Sequence, residues 1–345
     1  MRYWVCLLLS LLAVGARSDT QLGFKCRTSS SCRAMVGFAP ENKTTIEAVQ
    51  KLFDIADVNT LLSANGLSPS TPRTHTIQPS EPFKIPFNCS CSASSSYGVA
   101  SNAPSYTVKS GDTLDGIASK IFSRLVTYQQ IAAFNNITDP NVIEVGQNVS
   151  IPLPCSCDKV SRLPVLHYGH VVAPGSNVSG IALLFGVSDE ILLYLNGMAN
   201  ASSLQAYQLL DIPLRVCNSF VVNSSLDYPM LVPVGTYFYT ANNCVNCRCS
   251  SAGNLALQCL PSDLQNLTCP SMKCPGLDLG ISTNTSCSSS TCAYLGIHGD
   301  GSILTDTVNQ TTCLIPRSGG DVRAESKFWK VTVLPILAIL SIYIL

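Results

Sequence analysis

Of the 17 cysteines in this chain, Cys6 falls in an N-terminal leader and 16 remain, an even number of the kind a fully disulfide-bonded secreted chain needs. Their order constrains the fold more than any other feature. Cys26 and Cys32 are followed by the pair Cys89 and Cys91, by the pair Cys155 and Cys157, and by Cys217, so that each interval between pairs has the length of one small unit. A second group, Cys244, Cys247, Cys249, Cys259, Cys269, Cys274, Cys287, Cys292 and Cys313, lies in a Ser-, Thr- and Asn-rich stretch with little helical periodicity. The six cysteines from Cys26 to Cys157 allow 15 pairings, and sequence alone does not choose among them. A zinc site at Cys244, Cys247 and Cys249 is disfavoured, because an oxidising compartment favours disulfides and no histidine stands at ligand spacing. No metal or other cofactor is therefore expected, and His298 reads as a loop residue.

The termini support the same compartment. Arg2, the apolar run Tyr3 to Val14 and the small residues Gly15, Ala16 and Ser18 read as a signal peptide over residues 1–18. That run is shorter than the roughly 20 residues of a membrane-spanning helix. At the other end, Ser318, Gly319 and Gly320, the polar spacer "DVRAESKFWK" and the apolar tail Val331 to Leu345 read as a GPI attachment signal over 318–345. Ser318 or Gly319 is the expected attachment residue, and a single spanning helix is the alternative. Ten sequons agree with secretion: Asn42, Asn88, Asn136, Asn148, Asn177, Asn200, Asn223, Asn266, Asn284 and Asn309. Charged residues make up only 12%, the net charge is zero and no basic run appears, so nucleic acid is excluded and a neutral ligand is favoured.

The three intervals share a pattern: an apolar helical stretch, an Asn-containing turn and a short strand ending "FKIPF", "NVSIPL" or "LLDIPL". In the middle interval, "YTVKSGDTLDGIASKIF" predicts a strand at Tyr106 to Val108, a turn at Ser110 to Asp112, and a helix capped by Thr113 with Leu114, Ile117, Ala118 and Ile121 on its apolar face. A second helix through Ile131, Ala132 and Phe134 breaks at Asn135 and Asn136, and a closing strand follows over Asn148 to Leu153. The third interval keeps Ile181-Ala182, Asn196 and Ile212-Pro213. The first, Thr44 to Phe87, keeps "LLSANGL" and "IPF" without a Gly-Asp-Thr turn.

Tyr-x-Val, Gly-Asp-Thr, Ile-Ala, the Asn-Asn turn, Gly-Gln and Ile-Pro-Leu together resemble a LysM module. Three such units separated by Cys-x-Cys pairs resemble the plant LysM-domain GPI-anchored proteins over nearly the whole mature chain. The resemblance implies an α+β fold: LysM-like module 1 with its N-terminal Cys segment (19–91), module 2 (105–154), module 3 (168–215), and a Cys-rich, loop-rich region (217–317). It also implies the bridges Cys26–Cys91, Cys32–Cys157 and Cys89–Cys155, tying the modules into one ectodomain.

The family's ligand groove lies between the loop after the first strand and the loop after the second helix. Here that implies Ser110, Gly111, Asp112 and Thr113 on one side and Asp139, Pro140, Asn141, Val142 and Ile143 on the other. The expected ligand is a chitin-type N-acetylglucosamine oligosaccharide, met by backbone donors and acceptors beside small apolar patches. Asn177 matches Thr113 and opens a sequon, which makes the third groove the poorer candidate; the sequon at Asn136 stands beside the second. The resemblance further implies a transmembrane LysM receptor-like kinase as partner, a membrane link through the lipid, ligand-induced pairing of two molecules, and an output in innate immunity. Peptidoglycan, a lipo-chitooligosaccharide, or a structural wall-associated role without sugar binding are the alternatives. Catalysis is not expected, since neither a Gly-x-Ser-x-Gly elbow nor a histidine cluster appears and acids are few after Cys217.

Overall fold

The computed structural model describes residues 22–251 and 255–311; the leader, Cys313 and the attachment segment with Ser318 and Gly319 lie outside them. The short strand β1 (Phe24–Lys25) precedes the long β2 (Ser30–Phe38). A first run of strand, two helices and strand follows: β3 (Thr44–Thr45), α1 (Ile46–Leu52), α2 (Val58–Ala64) and β4 (Thr76–Ile77), with β3 and β4 paired. The strands β5 (Phe83–Ser92) and β6 (Tyr97–Ala100) form a hairpin.

The second run comprises β7 (Ser105–Thr107), α3 (Leu114–Gly116), which continues as a π-helical turn over Ile117–Ile121, α4 (Tyr128–Phe134) and β8 (Asn148–Ser150). Its closing strand is shorter than the sequence suggests. After Ser150 the Ile151 N–H turns to the Pro104 carbonyl, and Pro152 has no N–H to extend a ladder. The chain then forms β9 (Pro154–Cys155) against β6. The third run, β10 (Val165–Val171), α5 (Val178–Phe185), α6 (Asp189–Leu195) and β11 (Leu209–Arg215), repeats the order.

One seven-stranded sheet gathers these pieces in the order β1-β6-β5-β2-β10-β11, with β9 on β6. Only β10 and β2 run parallel within it, through Tyr168–Met35 and Gly169–Val36. Three disulfides cross-link it: Cys26–Cys91, Cys32–Cys157 and Cys89–Cys155, the pairs that the resemblance implies. Each closes a long loop, with sequence separations of 65, 125 and 66 residues. The chain-entropy account assigns roughly 4 kcal/mol to each such closure. Cys32, Cys89 and Cys157 sulfurs lie close enough to face one ion, but all three are bonded as cystines and offer no thiolate.

The first two runs share one core. Phe38, Phe53, Phe122 and Tyr106 form an edge-to-face chain with ring centroids 5.1, 5.7 and 6.1 Å apart. A second core joins the third run to the cystine cluster. Across the junction of the second and third runs, the Arg124 guanidinium lies 4.4 Å from the Tyr207 ring centroid.

The C-terminal region corrects the loop-rich expectation. It forms small antiparallel sheets: β12 (Tyr237–Thr240), β13 (Val245–Cys249) and β14 (Leu257–Pro261); β15 (Lys273–Cys274) and β16 (Leu277–Asp278); and β17 (Ser282–Asn284), β18 (Ser288–Ile297) and β19 (Ile303–Thr311). Cystines Cys217–Cys249, Cys244–Cys269, Cys247–Cys259 and Cys274–Cys292 pin it, so Cys244, Cys247 and Cys249 are spent as disulfides. Its strands carry many Ser, Thr and Asn residues, whose low hydrophobicity hides the period-two signal that normally reveals a strand. His298 does stand exposed in the turn after β18. Among the described residues no single helix is long and apolar enough to cross a membrane.

Candidate functional site

The second run presents two loops at one end. They are held together where β7 ends and β8 begins: the Val108 N–H donates to the Gln147 carbonyl, and the Gly146 N–H donates to the Val108 carbonyl, both at 2.8 Å. The turn Lys109–Thr113 leaves the module beside the arriving loop.

Each member of Gly111-Asp112-Thr113 has a distinct task. Gly111 takes φ +87°, a left-handed conformation that costs glycine nothing. The Asp112 carboxylate accepts from the Lys109 N–H at 2.8 Å and from the Tyr106 hydroxyl at 2.9 Å. Burial, then the bond to Asp112, pushes the Tyr106 hydroxyl up to about 12, so it stays protonated and donates. Thr113 Oγ1 accepts from the Gly116 N–H at 3.0 Å and caps α3. Ser110 and Gly111 stand exposed at the tip.

The loop after α4 is equally self-supported. Asn136 takes φ +55° and the Ile137 N–H returns to the Ala132 carbonyl, ending α4. Asp139 Oδ1 accepts from both the backbone N–H and Nδ2 of Asn141, at 2.9 and 3.0 Å. Asp139 and Asn141 thus shape the turn, Ile143 packs against the core, and Pro140 is half-buried. Val142 is left 65% exposed. Val145, 71% exposed, was not among the expected site residues. Its only sequence signal is a second valine in "NVIEVGQ" that no core position requires.

The third run reproduces this end with different groups. Gly175 takes φ +83°, Asn177 Oδ1 caps α5 by accepting from the Gly180 N–H at 2.7 Å, and Val172 exchanges backbone bonds with Tyr207 and Gln208. Ser176 stands where Asp112 does, without the anchoring carboxylate. In the first run β3 passes straight into α1 through Thr45, which caps the helix, so the first wall is missing.

The LysM domain family matches residues 106–152 and 170–213. The chain is 41% identical to the LysM domain-containing GPI-anchored protein 2 of Arabidopsis thaliana, over 79% of this chain and 78% of that protein. It is 39% identical to the chitin elicitor-binding protein of Oryza sativa subsp. japonica, over 92% of this chain and 90% of that one. Among solved structures, the ectodomain of a receptor-like kinase aligns with 55% of this chain and 94% of its own, at 23% identity and a TM-score of 0.45.

Proposed function

The chain belongs to the LysM domain-containing GPI-anchored proteins of the outer face of the plasma membrane, and from that premise we propose a non-catalytic receptor that binds chitin-type oligosaccharides in its second module. The observation that carries this reading is the completeness of that module's groove. It has both loops, tied by Val108, while the first run lacks the opening turn. In the third run the helix-capping Asn177 opens a sequon, and its Nδ2 is the atom a glycan would take while Oδ1 keeps the cap.

Exposed Val142 and Val145 supply the apolar contact that N-acetyl methyl groups and pyranose faces require, and the turn at Ser110 and Gly111 leaves backbone polar groups open to the same ligand. The first run is read here as a third, LysM-like module whose role is structural, since it shares its core with the second. A lipid anchor reaches one leaflet only, so signalling needs a transmembrane partner, for which a LysM receptor kinase acting in innate immunity is our reading. A long oligomer that bridges two anchored copies gains avidity through effective concentration.

Calorimetric titration of the secreted ectodomain, residues 19–317, with chitin oligomers of increasing length tests the reading. Saturable binding that strengthens with length supports it. Absence of heat, both with native glycans and after the Asn136 sequon is removed by Thr138→Ala, overturns it. Heat only with peptidoglycan fragments or lipo-chitooligosaccharide reassigns the ligand.

A further inference from the structure

A cleft of about 440 Å³ separates the central sheet from the C-terminal region, and its lining includes Arg33, Asn88, Ser101, Asp227, Tyr228 and Phe238. That volume is within the roughly 300–1,000 Å³ typical of small-molecule sites. We propose that its occupant is the N-linked glycan of Asn88 itself, so that the C-terminal region closes over a sugar the chain already carries.

Arg33 and Asn88 are direct cross-strand partners in the β2–β5 ladder. Their side chains therefore leave the same face of the sheet about 5 Å apart. Asn88 opens the sequon Asn88-Cys89-Ser90, and among the described residues its exposed carboxamide forms no hydrogen bond. Nδ2, the atom to be glycosylated, is thus at liberty in the cleft.

Arg33 is the unusual neighbour. Its guanidinium lies 3.5 Å from the Phe238 ring centroid, and among the described residues no hydrogen-bond acceptor meets it. The nearby Asp227 carboxylate is engaged by the hydroxyls of Thr240 and Tyr294. Burial draws the Arg33 pKa down to about 10, with Asp227 opposing. The Arg33 guanidinium donors are therefore unused by the described residues and open to acceptors in the cleft. The acetamide carbonyl and ring hydroxyls of a proximal N-acetylglucosamine are such acceptors, and the exposed ring of Tyr228 offers apolar surface for its C–H groups.

Order of synthesis permits the arrangement. N-linked transfer acts on the emerging, unfolded chain, and every cleft residue of the C-terminal region lies more than one hundred positions after Asn88, so that region folds last and can pack around the sugar. This inference is independent of the identity of the oligosaccharide bound in the second module.

The test uses the full chain from plant cells held at the high-mannose stage of processing. Glycopeptide mass spectrometry reports occupancy, and endoglycosidase H is applied to native and to unfolded protein. The Asn88 glycan is expected to be present and, in the native protein, released at least about tenfold more slowly than that on Asn42, as a site that opens only by local unfolding requires. Unfolding should abolish the difference. Ser90→Ala, which removes the sequon and leaves the cleft lining intact, should speed hydrogen exchange over residues 226–232 about tenfold. An unmodified Asn88, release at the Asn42 rate, or unchanged exchange in Ser90→Ala would each overturn the proposal.

Discussion

His167 and Asp211 form a buried pair across β10 and β11, with His167 Nδ1 at 2.8 Å from Asp211 Oδ1, while His167 Nε2 faces the Asp158 carbonyl at 2.8 Å. Both ring nitrogens meet acceptors, an arrangement that favours the doubly protonated imidazolium. Burial alone would lower its pKa; the charge of Asp211, the hydrogen bond to it and the Asp158 carbonyl outweigh that and raise it. The pair also joins the third module to the segment after Cys157, where Asp158 accepts from the Arg27 N–H at 3.1 Å.

A raised pKa makes this contact pH-dependent in a defined direction. The imidazolium's contribution to stability is complete below the unfolded-state pKa of about 6.5 and declines as pH rises through the higher native value. Thermal unfolding should therefore show a fall in stability above pH 6.5 that His167→Asn removes. Equal pH slopes for the two proteins would refute the assignment.

A second regularity ties each helix pair to the strand segment that closes its run. Asn135 Nδ2 donates to the Ile131 and Ser150 carbonyls, and Asn135 Oδ1 accepts from the Ser150 N–H, all at 2.8 Å. Asn65 repeats this with Leu61 and Lys84, and Asn196 with Leu192 and Asp211. Replacing Asn65 by Ala leaves half-buried backbone groups unmatched, at about 1–3 kcal/mol. It should lower the melting temperature as much as Asn135→Ala does, yet leave chitin binding untouched, because the first run lacks the turn that opens the proposed groove.

This staple explains what was legible. The bonded residue always precedes Ile-Pro, and it varies among Lys84, Ser150 and Asp211 because the Asn bonds only its backbone. The repeated Asn and Ile-Pro therefore survive in sequence while the residues around them drift, which is why the first run could be read from "LLSANGL" and "IPF" without a Gly-Asp-Thr turn. Groove residues were harder to rank. Asp112, Thr113, Asp139 and Asn141 are spent on holding their own turns, and exposed Val145 carries no pattern that marks it. The strands of the Cys-rich region were hidden by their polar composition, and the merger of β10 and β11 with β2 is a long-range parallel contact that no local signal announces.

Phe53 and Phe122 meet edge to face at 5.7 Å across the boundary of the first and second runs. Phe122 is fully buried, so Phe122→Ala should cost roughly 3–5 kcal/mol. Because the core is shared, both runs should lose protection together in hydrogen exchange. Destabilisation confined to residues 105–154 would argue for independent modules.

Gly111 and Gly175 allow the binding site to be separated from the scaffold. Both take left-handed φ, +87° and +83°, and a Cβ added at either meets nothing within 4 Å. Gly111→Ala and Gly175→Ala should then lose a similar amount, about 1–2 kcal/mol, from backbone strain alone. Only Gly111→Ala distorts the turn beside the proposed groove of the second run, so only it should weaken chitin binding in calorimetry. Val142→Ser should weaken binding about tenfold through lost apolar contact, with stability altered by less than about 0.5 kcal/mol. Equal loss of binding in the two glycine variants would place ligand in both grooves, and loss in Gly175→Ala alone would move the site to the third module.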